Sequence, residues 1–366
     1  MSDGGDGGTG GGQILLKRAR KAGPRRLRKL VPRIEEVLAA SASGADERVP
    51  ARVQARLNAY VDAAAFDRTG SALGLAKSVI AATHQLDEIF CHSLRFDVAG
   101  HLLDTYRARW PDARPLSAKA PFLAGLTGPR DSFHDDEESD VQIVQKPGAT
   151  TTLVVFTGIR HGFGIPLNLF HHACLAQFHA NVVYLRDFAQ SIYLTGIQSL
   201  GGIQQACQAL GNIFAELGTK RLVMIGNSGG VFGALYYATL LDADAVLAFS
   251  GPSSLDIGMD HEERQLYGRL STLRGQGKIA WPDIRALYAA RNTTVSIHFG
   301  GDNLFDRAQA EHLQDLPNVT LHPFPSGHHV IVNELVASGV FRAALENAVS
   351  GTASDAGRDR SGPVSG

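Results

Sequence analysis

The chain has 366 residues, with 35 Lys plus Arg against 36 Asp plus Glu and a net charge of −1. That balance gives no global attraction to nucleic acid or to an anionic membrane, so neither is expected as a partner. Hydrophobic residues make up 44%, enough for a sizeable core, and the three cysteines Cys91, Cys174 and Cys207 show no CxxC spacing, which argues against a disulfide framework or a Cys-rich zinc site.

Residues 1–33 read as a Gly-rich, basic tail. Seven of the first twelve residues are Gly, and residues 17–33 hold nine Lys or Arg and no acid. No apolar run follows, so no secretory signal is expected and the chain reads as cytoplasmic. No aromatic residues interleave for base stacking, which makes a solvated leader the better reading. Residues 34–110 read as helical, because Ala, Leu and Val recur at spacings of three and four. Thr69 or Ser71 would cap one helix, and Pro111 would stop the last, FDVAGHLLDTYRARW. This region carries no evident chemistry: His84, His92 and His101 read as packing or surface residues. A protein partner is the one binding role it suggests.

Residues 111–140 are rich in Pro and polar residues and form the natural linker. Their acidic run, Asp135-Asp136-Glu137-Glu138 with Asp140, reads as solvated, since consecutive carboxylates point in different directions. From 141 to 348 short apolar strands alternate with helices. VQIVQ, TTLVVF, NVVYL, RLVMI, AVLAF, VSIHF and VTLHPF are the strands; the helices fall near 166–179, 200–217, 229–241, 283–291, 306–315 and 329–348. Near-continuous apolar strands separated by helices predict an α/β fold, a mainly parallel sheet covered on both faces. The adjacent His171 and His172 lie about 100° apart on an ideal helix and could not easily share a metal. Residues 349–366 read as a second disordered tail.

Leu222–Leu241 is uncharged and of spanning length, but Gly226-Asn227-Ser228-Gly229-Gly230 interrupts it. That interruption argues against a membrane span and for a strand, a sharp turn and a helix. It also matches G-x-S-x-G in the context a nucleophile elbow requires. The turn forces Ser228 into strained backbone, and crowding between the residues two before and two after it calls for glycine, as at Gly226 and Gly230. Ser228 would stand at a helix N-terminus, where the dipole and the Gly229 N–H favour negative charge. An acid and then a histidine should follow on later strand ends. Asp302 lies just past VSIHF, and His328 and His329 just past VTLHPF. Asp306 reads as a helix N-cap, and His329 competes with His328.

With these residues in place, the segment from about 140 to 348 resembles the α/β-hydrolase superfamily. The resemblance implies Ser228 as nucleophile, Asp302 as acid and His328 as base. Some members place the acid in the loop after the strand that AVLAF would form, which makes Asp256 a third candidate acid. His328 is preferred over His329 because Gly327 frees its loop, as in many relatives, while His329 reads as the start of the helix. It also implies an oxyanion hole made by the N–H of Gly229 and one from Thr157-Gly158-Ile159-Arg160-His161-Gly162, with Ile159 or Arg160 as donor. Relatives often carry His-Gly where this chain has Thr157-Gly158. Arg160 could instead hold an anionic group of the substrate, and Arg186-Asp187 reads as a supporting ion pair. The insertion at about 251–293, with Met259, Tyr267, Trp281 and Tyr288, could cover the pocket. The block NVVYLRDF…YLTGI…GNSGGVFGALYYA further resembles hydrolase-like proteins from bacterial surface-polysaccharide contexts, which implies acyl esters on sugars. The expected function is serine hydrolysis of a small-molecule or sugar carboxylic ester, with no metal or organic cofactor. An acyltransferase using the same residues, or a non-catalytic scaffold, is the alternative.

Overall fold

A computed structural model describes residues 90–92, 94–109, 118–257 and 264–351. The expectations for residues 1–89, for Pro111, for Met259 and for the last fifteen residues therefore lie outside the described residues. The chain divides into two compact units, Met1–His134 with Asn168–Cys174, and Asp135–Leu167 with Leu175–Gly366.

In the first unit, helix α1 (Phe96–Arg109) buries Phe96, Val98, Ala99 and Leu103, with Asp97 in the first turn where the helix dipole favours a negative charge. It packs against the short helix α2 (Ala120–Leu123), which begins with Pro121 inside its first turn.

The second unit is built on a seven-stranded sheet. Its strands are β1 (Val141–Val144), β2 (Thr151–Phe156), β3 (Asn181–Leu185), β4 (Arg221–Asn227), β5 (Ala245–Phe249), β6 (Thr294–Gly300) and β7 (Val319–Phe324). They lie in the order β1-β3-β2-β4-β5-β6-β7. Only β1 runs antiparallel, pairing Val141 with Leu185 and Val144 with Val182; all other pairings are parallel. The central strands β3, β4 and β5 are buried along nearly their whole length. Parallel strands covered on both faces need such unbroken apolar runs.

Helix α3 (Leu167–Phe170) belongs to the first unit from Asn168 on; the helices of the second unit are α4 (Ile203–Glu216), α5 (Gly230–Leu240), α6 (Arg264–Gly275), α7 (Ile284–Tyr288), α8 (Leu304–Glu311), α9 (Val332–Ala337) and α10 (Val340–Ser350). Helix α5 is apolar on all sides because it is buried on nearly all sides, against β2, β4 and β5. This resolves Leu222–Leu241 into a strand, a turn and a core helix, and no helix among the described residues is long and apolar enough to cross a membrane.

Four local expectations are corrected. The helix expected at 166–179 is a four-residue α-helix followed by a π-helical turn, His171–Leu175. The helix expected at 329–348 is two helices, separated at Gly339, whose φ of +78° ends the first and begins the second. The acidic run is only partly solvated: Asp135 and Asp140 are buried. Asp135 pairs with the buried Arg186, and Asp140 accepts the N–H of Ser199. Tyr288 of the insertion is a core residue whose hydroxyl donates to Leu235 O, not a pocket lining.

Candidate active site

Ser228 sits on the turn between β4 and α5 with φ +52°, a conformation a non-glycine residue adopts at a cost. The glycines around it have a measurable reason. A methyl on Gly226 would come within 2.6 Å of Gly230 O, and one on Gly230 within 2.2 Å of Phe156 O. Gly251, just past β5, is equally constrained, since a methyl there would meet Ser228 O at 2.2 Å. The motif does not extend to that residue, and only the neighbouring strand end discloses it.

Ser228 Oγ lies 2.9 Å from His329 Nε2, and His329 Nδ1 lies 2.8 Å from Asp306 Oδ1. The serine–histidine–acid chain is thus completed by His329 and Asp306. His328 and Asp302, implied by the resemblance, are both exposed. The reason for each correction is local. Asn303, not Asp306, is the N-cap of α8: its Oδ1 accepts the Asp306 N–H at 3.0 Å. Asp306 therefore occupies the first helical turn with its carboxylate free to turn inward, while Asp302 remains outside the helix and donates its own N–H to Ser326 O. Similarly, α9 begins at Val332, so His329 lies in the loop and not in the helix. In this loop His329, not His328, brings its ring to Ser228. Asp256, the third candidate acid, is exposed and lies 4.0 Å from Arg274 at the surface.

The Asp306 side chain is fully buried; Oδ1 meets His329, and Oδ2 has no hydrogen-bond partner among the described residues. An acceptor-only carboxylate against Nδ1 requires the proton on Nδ1, which leaves the Nε2 lone pair facing the serine hydroxyl.

The loop after β2 runs beside this turn. Gly158 N–H donates to Gly162 O, and His161 N–H to Gly158 O, closing Thr157–Gly162 into a tight bend. Ile159 N would lie 3.8 Å from a methyl placed on Gly229, and the Ile159 side chain packs onto that glycine. Neither the Ile159 nor the Gly229 N–H has an acceptor among the described residues. Arg160 is exposed and makes no ion pair among the described residues. Ile159, packed on Gly229, and Val330, next to His329 in the chain, leave apolar surface exposed.

Arg186 and Asp187, expected as a mutual ion pair, separate. Arg186 pairs with Asp135 and donates to Ser139 O at 2.8 Å and to His161 O at 3.2 Å, so it fastens the β1 approach to the loop after β2. Asp187 turns the other way, accepting the N–H groups of Ser191 (2.6 Å) and Tyr193 (3.0 Å). Burial raises its carboxyl above the usual carboxylate range, against the lowering by those donors.

In the first unit, Asp131, His171 and His172 bring one ligand atom each within 4.8 Å of one another. His171 Nε2 is 2.8 Å from Asp131. His172 Nδ1 accepts the Arg130 N–H at 3.2 Å, and its Nε2 faces Phe133 O at 3.0 Å. The lone pair that would bind a metal is thus in use. The π-helical turn, rather than the helical spacing expected, brings the two rings to a 5.0 Å centroid separation.

No family model and no curated protein matches the chain. Solved structures with partial likeness include MenH from Staphylococcus aureus, 13% identical over 58% of this chain and 98% of that one, with a TM-score of 0.41. The Pyrococcus furiosus esterase Pf2001 is 14% identical over 61% of this chain and 97% of that one, with a TM-score of 0.40. An α/β-hydrolase from the metagenome of lagoon sediments is 17% identical over 59% of this chain and 97% of that one, also at 0.40. Values this low assign no residue and no substrate. The sheet order, the parallel strands and the strand–turn–helix at Ser228 stand on their own, and the second unit is an α/β fold, a mainly parallel sheet flanked by helices.

Proposed function

We propose that the chain is a serine hydrolase that cleaves a carboxylic ester through an acyl-enzyme on Ser228, with His329 as base and Asp306 as the acid that orients it. The observation that carries this is the unbroken hydrogen-bond chain from Ser228 Oγ through His329 to buried Asp306, mounted on a strained turn at a helix N-terminus. His329 Nε2 accepts the Ser228 proton as Oγ bonds to the ester carbonyl carbon, and the imidazolium formed is held by Asp306. The carbonyl oxygen, now negative, faces the N–H groups of Gly229 and Ile159, at the positive end of α5. The ester C–O bond breaks and His329 returns the proton to the departing alcohol. Water then repeats the sequence on the acyl-enzyme, releasing the acid and restoring Ser228. Ile159 and Val330 favour an apolar group on the substrate, and exposed Arg160 offers an anion contact at the rim.

The test is labelling of the purified chain with a fluorophosphonate, alongside turnover of short-chain 4-nitrophenyl esters. One labelled residue, Ser228, lost together with turnover in Ser228→Ala at unchanged melting temperature, is the expected result. Labelling that persists in Ser228→Ala would end the proposal, and products dominated by new esters when sugar alcohols are added would replace hydrolysis by acyl transfer.

A further inference from the structure

We infer that Asp187 is a positioning residue for the oxyanion-facing side of Ser228, acting through a strained turn whose backbone its carboxylate ties down. The inference rests on the ester-hydrolysis reading of Ser228 and names how that site is held.

Asp187 follows β3 at the carboxyl end of the sheet, the end that carries Ser228, and is buried. After it the chain makes a turn in which Gln190, Ile192 and Tyr193 all have positive φ, +52°, +51° and +68°. No glycine supplies this conformation, so three side-chain-bearing residues each carry its steric cost. Such backbone persists only where its surroundings over-determine it. Here Asp187 Oδ2 accepts both the Ser191 and the Tyr193 N–H, the Ser191 hydroxyl lies 3.4 Å from each carboxylate oxygen, and the Asp187 carbonyl accepts the Gln190 N–H.

The turn delivers two side chains to the site. Ile192 packs against Gly229, one methyl lying 3.4 Å from where a Gly229 Cβ would be, on the residue whose N–H faces the oxyanion. Tyr193 stacks edge-on against Phe156, at a 5.0 Å centroid distance, and fills the space left by Gly233 on α5. Its hydroxyl is shared between Leu185 O (2.8 Å) and Thr157 O (3.1 Å), the residue from which the Ile159 loop departs. Both proposed oxyanion donors, Gly229 on α5 and Ile159 on the loop after β2, are thus braced by the one turn. Without the carboxylate the Ser191 and Tyr193 N–H groups lose their acceptor and the positive-φ backbone loosens, shifting Ile192 and Tyr193 against Gly229 and the Ile159 loop.

The consequence is specific to the transition state. Donors displaced by a fraction of an ångström still admit the substrate but stabilise the oxyanion poorly, so kcat falls while KM is kept. The experiment compares wild type with Asp187→Ala, Asp187→Asn and Tyr193→Phe, the last removing only the hydroxyl under Thr157. Measured are kcat and KM on 4-nitrophenyl acetate, the inhibition constant of an alkyl trifluoromethyl ketone, and the melting temperature. Expected is a drop in kcat of about 10- to 100-fold for Asp187→Ala and a smaller one for the other two, with KM nearly constant. The ketone, whose adduct carries the oxyanion, should weaken by the same factor as kcat/KM. Unchanged kcat and ketone affinity in folded Asp187→Asn and Tyr193→Phe, whatever their melting temperatures, would overturn the inference and leave Ser228 hydrolysis standing. A wild type with no turnover and no fluorophosphonate label would instead overturn the underlying reading.

Discussion

Replacing Asp306 by Asn separates the acid that the structure joins to His329 from the one that the sequence motif suggested. In the native site the Asp306 carboxylate can only accept, so it holds the proton on His329 Nδ1 and leaves Nε2 as a base for Ser228. An amide that turns its NH2 toward Nδ1 reverses the tautomer and puts the proton on Nε2, where it cannot take another. In comparable triads that change lowers kcat about 10^4-fold, or about 5 kcal/mol of transition-state stabilisation. Stability should move the other way or not at all. Asp306 is 1% exposed with Oδ2 unpartnered, so the substitution removes a poorly compensated buried charge, and the α8 cap on Asn303 is untouched. Asp302→Asn, at an exposed position, should change neither quantity, within about 0.5 kcal/mol of stability. The assay is kcat and KM on 4-nitrophenyl acetate with urea denaturation of each variant. An inactive Asp302→Asn beside a fully active Asp306→Asn would refute the reasoning.

Three further outcomes are expected. His329→Ala should abolish turnover while His328→Ala retains it; the reverse pattern would show that the loop after β7 is in a different register in solution. Gly230→Ala should destabilise the fold by about 3 kcal/mol or more, or prevent folding, because its methyl would sit 2.2 Å from Phe156 O, a backbone atom that cannot step aside; an unchanged denaturation midpoint would contradict that packing. His298, buried between Phe249 and His322, is held down to about 3, first by burial and then by His322. Its unfolded value is near 6.5, so the unfolded chain takes up a proton that the folded one refuses. Stability is whole above pH 6.5 and falls as pH drops toward 3, by at most about 1.4 kcal/mol per unit. His298→Phe should flatten that slope in urea midpoints measured from pH 7 to 4, and an equal slope in both proteins would assign the acid sensitivity elsewhere.

The elements that were legible in the sequence are those whose cause is local. An apolar run bounded by turn residues becomes a strand wherever it is placed, and TTLVVF, NVVYL, AVLAF and VTLHPF form strands with those bounds. A tight strand–helix turn needs small residues at fixed offsets from its apex, so Gly226 and Gly230 mark Ser228 before any contact is known. The partners of Ser228 are a different kind of fact. Asp302 and Asp306, or His328 and His329, differ by a few residues of the same type on the same loops, and composition cannot rank them. Their order was decided by which residue caps α8 and where α9 begins, and then by which side chain the packed sheet aims at Ser228. The same holds for Asp135, an apparent member of a solvated acidic run that is buried because Arg186, fifty-one residues away, is buried with it. Local sterics act through neighbours in the chain and can be read from it, whereas a charge or a ring finds its partner only when distant segments are brought side by side.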